Sequence, residues 1–261
     1  MTDFIRTERH DAVLRIVLNR PEARNAQNRE MLAGLDAAFA AAADDDSVRV
    51  VILAGAGAHF SAGHDLKQAQ AERADFTVEQ RWDFESRYYY DYCLRIFDHP
   101  KPVIAEIRGA CIAAGFMVAN MCDLIVASET AFFADPVCHS LGAAAVEVLV
   151  HPWVLGSRKA REFLYTGSRL TAQAAEAAGM VNRVVPDPEL ETRTLEFAAR
   201  IAAAPPFALR LVKRSINRTL DAQGFRTALA AHFDTHQLSH VGEAFRAARD
   251  SGLAGSIRRE T

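Results

Sequence analysis

The chain has 261 residues, 50% hydrophobic and 24% charged, with a formal net charge of −3. That is enough for one large domain, or for a core with a smaller appendage. The balance carries no basic footprint for nucleic acid, and no apolar run approaches the ~20 residues of a membrane span. The opening stretch Met1–Arg9 is polar and charged, unlike a secretory signal. Cys93, Cys111, Cys122 and Cys138 lie in or near apolar stretches without CxxC spacing. Reduced structural thiols in a cytoplasmic protein are expected, rather than a disulfide framework or a zinc site.

In chain order, Ala12–Leu18 reads as a strand ended by Asn19-Arg20-Pro21. Asn28 is placed to cap a helix through about Ala43, apolar at Met31, Leu32, Leu35, Ala38 and Phe39. Val48–Leu53 is a second strand, and strand–helix–strand at this spacing is a crossover unit. Gln68–Glu79 is polar and poorly periodic, and is expected to be a mobile segment at a site mouth. Arg81–Phe97 reads as a helix, with Tyr88, Tyr89 and Tyr90 either lining a pocket or simply packing. Pro102–Ile107, Leu124–Ala127, Ala131–Phe133 and Val181–Val185 read as further strands. Gly142 leads into an alanine-rich helix. Glu189–Ala203 reads as a helix, and beyond Pro205-Pro206 the pattern is helical to about Arg249.

Two strand–loop–helix units share a design. The first is Ala58-His59-Phe60-Ser61-Ala62-Gly63-His64-Asp65-Leu66-Lys67; the second runs from Ala110 through Ala113-Ala114-Gly115 to Asp123. Amides at the end of a strand and the start of a helix are free of intrahelical acceptors and lie in positive potential. Two such loops can form a two-donor oxyanion hole.

These two segments resemble the crotonase, or enoyl-CoA hydratase/isomerase, superfamily. Asn19–Ala26 is similar to its usual opening, and Phe163–Gly167 with Ala174–Val185 to its later segment. The resemblance implies an α/β fold: a crotonase-like ββα spiral core over residues 1–200, with a C-terminal helical region over 201–261 near subunit contacts. It further implies a homotrimer or dimer of trimers, an acyl-CoA ligand, and no cofactor beyond the coenzyme A of the substrate. Its two oxyanion donors would be the amides of His64 and Ala114. Arg24, Ala26, Ala62, Asp65 and Leu66 would surround the CoA thioester.

Where the typical hydratase carries two carboxylates, this chain has Met117 and Val137. Neither side chain can move a proton. Asp135, His139 and Glu147 are the substitutes, read alternatively as a turn residue, a loop residue and a solvent-facing charge. Glu147 sits in the apolar stretch Ala143–Val150, near where the 4-chlorobenzoyl-CoA dehalogenase branch places its aspartate nucleophile. There it would need a partner or a raised pKa. The ring of His64 reads as pocket wall or hydrogen-bond partner rather than base. The expected activity is enolate-stabilising chemistry on a thioester by an enoyl-CoA hydratase/isomerase-like lyase. A non-catalytic acyl-CoA binder or carrier and a crotonase-fold acyl-CoA hydrolase are the alternatives. His232, His236 and His240 recur every four residues on a predicted helix. Polar helix surface or subunit contact is the favoured reading there, over a metal site.

Overall fold

The computed structural model describes residues 4–256; the first three residues of the Met1–Arg9 stretch lie outside them. A six-stranded sheet forms the frame, in the order β1-β2-β3-β4-β6-β9. β1 (Ile5–His10), an edge strand not expected from the sequence, pairs antiparallel with β2 (Val13–Leu18). Its IRTERH sequence buries only Ile5 fully, so no apolar run marks it. From β2 on, the strands are parallel: β3 (Val50–Gly55), β4 (Val103–Ile107), β6 (Leu124–Ser128) and β9 (Arg183–Val185). Parallel strands covered on both faces read as continuous apolar runs, as in VVILA of β3.

α1 (Arg29–Asp44) joins β2 to β3 and buries Met31, Leu32, Leu35, Phe39 and Ala42 along one face. The Asn28 side chain accepts from the Met31 amide at 2.9 Å, the expected cap. After β3 the stretch expected to be mobile is instead helical: α2 (Leu66–Arg73) and α3 (Val78–Glu85). Asp65 caps α2 through the amides of Lys67 and Gln68, and Thr77 with Gln80 forms a capping box on α3. The single helix expected over Arg81–Phe97 is broken by a π-turn at Ser86–Tyr90 before α4 (Asp91–Phe97).

Twice the chain then steps from the large sheet to a small one and into a helix. β4 is followed by β5 (Ala110–Ile112) and α5 (Ala114–Asn120); β6 is followed by β7 (Phe132–Ala134) and the short α6 (Val137–Ser140). β8 (Leu170–Thr171) completes the small sheet, β5-β7-β8. The alanine-rich helix expected after Gly142 does not form. Residues 142–150 are irregular, with Ala145 at φ 59°, and α7 (His151–Thr166) begins only afterwards. The β-branched Val146, Val148 and Val150 disfavour a helix here. α8 (Ala172–Ala177) leads back to β9.

α9 (Leu190–Ala202) covers one face of the large sheet with Leu190, Ala198 and Ala202 against Val50, Ile52, Ile104 and Val126. α10 (Pro206–Ala222), α11 (Phe225–Ser239), α12 (Glu243–Asp250) and α13 (Leu253–Ser256) follow. α11 returns over the main core through Phe225 and Leu229, and α13 ties to α2 by the Leu253 amide on Gln70 Oε1 at 3.1 Å. No helix among the described residues is long and apolar enough to cross a membrane. Cys93, Cys111 and Cys122 are buried and unbridged; Cys138, expected to be structural, is exposed on α6.

Candidate active site

The opening motif braces the first loop. Arg24 and Asn25 both adopt left-handed backbone, and buried Asn25 bonds the Arg20 amide and the carbonyls of Ala56 and His59. Arg24 O accepts from Ala62, the Gln27 amide donates to Gly63 O, and Gln27 O accepts from Asp65. Arg20 closes the brace on Asp65 at 2.5 Å. The two loops run side by side, the Ile112 amide donating to Ser61 O at 3.0 Å. Close approach is why glycine is needed. A Cβ on Gly115 would stand 2.7 Å from Ser61 O; one on Gly63, at φ +93°, would stand 3.0 Å from Ile112 O and 3.3 Å from the Ala114 nitrogen. Ala113 is held at φ 49°, ψ −113°, a conformation that favours glycine. Neither the His64 amide nor the Ala114 amide has an acceptor among the described residues.

Both loops border a cavity of about 350 Å³. Ala62, Leu66, Ile112, Ala113, Val137 and Val146 make its wall apolar on this side. Arg24 lies on its rim, whereas Ala26 and Asp65, expected around the thioester, do not line it; Asp65 is spent on Arg20 and on the α2 cap. Met117 is buried in the core. Asp135 is corrected: it is fully buried off the cavity, its carboxylate 3.2 Å from the equally buried His151. His139 is corrected too, being exposed with Nε2 2.8 Å from Tyr165 O.

Glu147 is the candidate that reaches the cavity. It is 5% exposed, not solvent-facing, and stands on the irregular 142–150 segment rather than on a helix. Both of its oxygens lie 3.3 Å from His64 Nε2. The His64 ring stacks on Tyr89 at 3.7 Å, and its Nδ1 has no partner. Tyr89 alone of the three tyrosines lines the cavity; Tyr88 packs on Phe84 and Tyr90 on Phe233.

The far wall was not foreseen. Glu85 at the end of α3, His236 on α11 and His240 just past its end line the cavity with Arg73 and Arg81. The reading of the three histidines as polar helix surface is thereby overturned: His236 is 2% exposed, and His232 holds Val146 O at 2.9 Å. His236 Nε2 is 3.6 Å from Glu85 and 3.7 Å from Glu147. Four-residue spacing was visible; that α11 faces inward depends on Leu229 and Phe233, whose partners are remote in sequence. Burial presses Glu147 upward, but the charge and hydrogen bond of His64 and the charge of His236 hold it down to about 2. Burial raises Glu85, and the charge of Glu147 adds to the rise. Burial lowers His232 to about 4, and burial with His236 and Arg81 nearby lowers His240 to about 3.

A family model described as enoyl-CoA hydratase/isomerase matches residues 8–248. The chain belongs to the enoyl-CoA hydratase/isomerase family, the crotonase superfamily. Membership places it among the enzymes of the hydratase/isomerase group, with the crotonase-like α/β fold. It is 46% identical over 258 residues to EchA13 of Mycobacterium tuberculosis, covering 92% of this chain and 81% of that one. It is 33% identical to 4-chlorobenzoyl coenzyme A dehalogenase-2 of an Arthrobacter species, covering 81% and 77%. The crystal structure of a probable enoyl-CoA hydratase from Mycobacterium smegmatis superposes with a TM-score of 0.87 at 49% identity, covering 92% and 95%. An enoyl-CoA hydratase/isomerase from Xanthobacter autotrophicus does so with 0.90 at 36%, covering 98% and 96%.

Proposed function

We propose that this protein holds the carbonyl of an acyl-CoA thioester between the amides of His64 and Ala114 and stabilises the enolate formed there. Each such donor is worth ~2.7–4 kcal/mol of barrier in comparable sites. Proton transfer is assigned to Glu147, positioned by His64, in place of the carboxylates missing at Met117 and Val137. The observation that carries this reading is the Glu147 carboxylate, buried on the cavity wall and 3.3 Å from the ring of the residue that supplies one of the two free amides. Arg24, Ala62 and Leu66 would meet the CoA portion.

The far wall bears on the acyl group. A long alkyl tail would desolvate Arg73, Arg81, Glu85 and Glu147 without replacing their hydrogen bonds, which is costly. A short acyl chain, or one with a polar end, fits better. Exposed Phe207, Leu211, Val212 and Ile216 along α10 support self-association as a trimer or dimer of trimers; a cytoplasmic setting suits the free thiols. The test is turnover of a series of enoyl-CoAs by the wild type and Glu147→Gln. Short chains should be favoured over long ones, and the substitution should lower kcat by roughly 10²–10⁴-fold with acyl-CoA binding retained. Unchanged turnover in Glu147→Gln would remove Glu147 from the reaction.

A further inference from the structure

The four-residue spacing gives three histidines, two on α11 and His240 at its C-terminal end, and two of the three face Glu85. His232 Nε2 is engaged with Val146 O at 2.9 Å. His236 and His240 turn their rings into the cavity, 4.6 Å apart and edge to face. Opposite them stands Glu85. Its Oε2 lies 3.6 Å from His236 Nε2 and 3.8 Å from His240 Nδ1, and one donor atom from each of the three residues falls within 4.8 Å of the others. These separations exceed hydrogen-bonding distance. They approach the edges of a tetrahedron around an ion with ligand bonds of about 2.0–2.2 Å.

The ring nitrogens also lack hydrogen bonds, although His236 Nε2 stands 3.7 Å from Glu147 as well. Both ring nitrogens of His236 and the Nδ1 of His240 are buried with no hydrogen bond. Leaving buried polar groups unpaired is expensive, and a bound ion is one way to satisfy these. Glu85 is already oriented: Gln237 Nε2 donates to its Oε2 at 2.6 Å, and Arg81 approaches its Oε1 at 3.4 Å. Outer partners of this kind fix ligating side chains in metal sites.

We infer that Glu85, His236 and His240 bind a divalent transition metal of the zinc class at the far wall of the cavity. Two imidazoles and one carboxylate suit such an ion. Three protein ligands leave a coordination position open toward the cavity, for water or an oxygen of the acyl group. Nothing in this assignment depends on the enolate reading, because the metal is scored without any acyl-CoA present.

The experiment uses the full chain without a histidine tag, stripped with chelator. Zn²⁺ content after gel filtration is measured by mass spectrometry, and Co²⁺ is titrated while its visible spectrum is recorded. One ion per chain is expected, with the intense Co²⁺ bands of a four-coordinate site. Glu85→Gln and His236→Asn should each weaken binding at least about 100-fold, and Gln237→Ala by roughly 10–100-fold. His232→Asn should leave affinity unchanged. Circular dichroism identifies a variant that has failed to fold, and Glu85→Gln is the more conservative of the first pair. Absence of stoichiometric Zn²⁺ or Co²⁺ from the folded wild type overturns the assignment. So does binding that survives both Glu85→Gln and His236→Asn.

Discussion

Arg15 enters the large sheet between two carboxylates, 2.6 Å from Glu8 and 2.7 Å from Glu106. Across the core, Glu85, Glu147, His64, His236 and His240 are as deeply placed, yet their ionisable atoms keep 3.3–3.8 Å apart. The first cluster joins β1, β2 and β4 and borders no part of the cavity. The second lines it. The contrast separates charges that hold the fold from charges kept available to a ligand. Arg15 Nε and Glu106 Oε2 are also buried without a hydrogen bond, so what separates the clusters is the close ion pair in the one and the cavity beside the other.

Perturbing each cluster should therefore have opposite consequences. At the cavity, Glu147→Gln should reduce turnover by about 10²–10⁴-fold in protein that calorimetry shows to be folded, read by steady-state kinetics. At the sheet, Arg15→Met strands Glu106 as a buried unpaired charge. It should cost about 3–5 kcal/mol in urea denaturation, with kcat of the surviving folded protein unchanged. If Arg15→Met abolishes turnover in folded protein, the division between the clusters fails.

Two smaller effects sharpen it. His99 is buried away from the cavity, with ring nitrogens against Lys101 O and Phe39 O, and burial lowers it to about 4. A histidine whose folded value lies below its ordinary 6.5 contributes stability above pH 6.5 and loses it as pH falls toward 4. In urea denaturation His99 should thus contribute a drop over that window equivalent to about 2–3 kcal/mol, at 1.36 kcal/mol per unit, beside those of His232 and His240, and His99→Gln should remove its share. Ala113→Gly should relieve the positive-φ strain in the second loop. The gain is about 1 kcal/mol, since strain of ~1–3 kcal/mol is offset in part by unfolded-chain entropy.

The near wall was legible in the sequence because its chemistry is backbone chemistry. Gly63 and Gly115 mark close approach, and Ser61 to Leu66 and Ala110 to Ala114 keep strand, turn and helix start in order. The parallel strands were legible for a similar reason: VVILA is apolar throughout, and VIAEI is apolar but for Glu106. The far wall was not, because each of its groups arrives from a different part of the chain. Glu85 lies in the stretch Arg81–Phe97 that reads as a helix, with nothing in its spacing to mark it as a cavity residue, and Glu147 in one whose alanines suggested a helix. His236 lies on a tail whose inward face is decided by packing on Phe225 and Leu229. Asp135 looked suited to chemistry by its place before a proline, but His151, sixteen residues on, holds it away.

The most direct measurement is hydrogen exchange at Cα of butyryl-CoA in D₂O, followed by mass spectrometry. An enolate held by the His64 and Ala114 amides, with Glu147 taking the proton, predicts deuterium uptake by the wild type and slowing by roughly 10²-fold or more in Glu147→Gln. Butyryl-CoA that binds the wild type and gains no deuterium, or gains it equally fast with Glu147→Gln, contradicts the account.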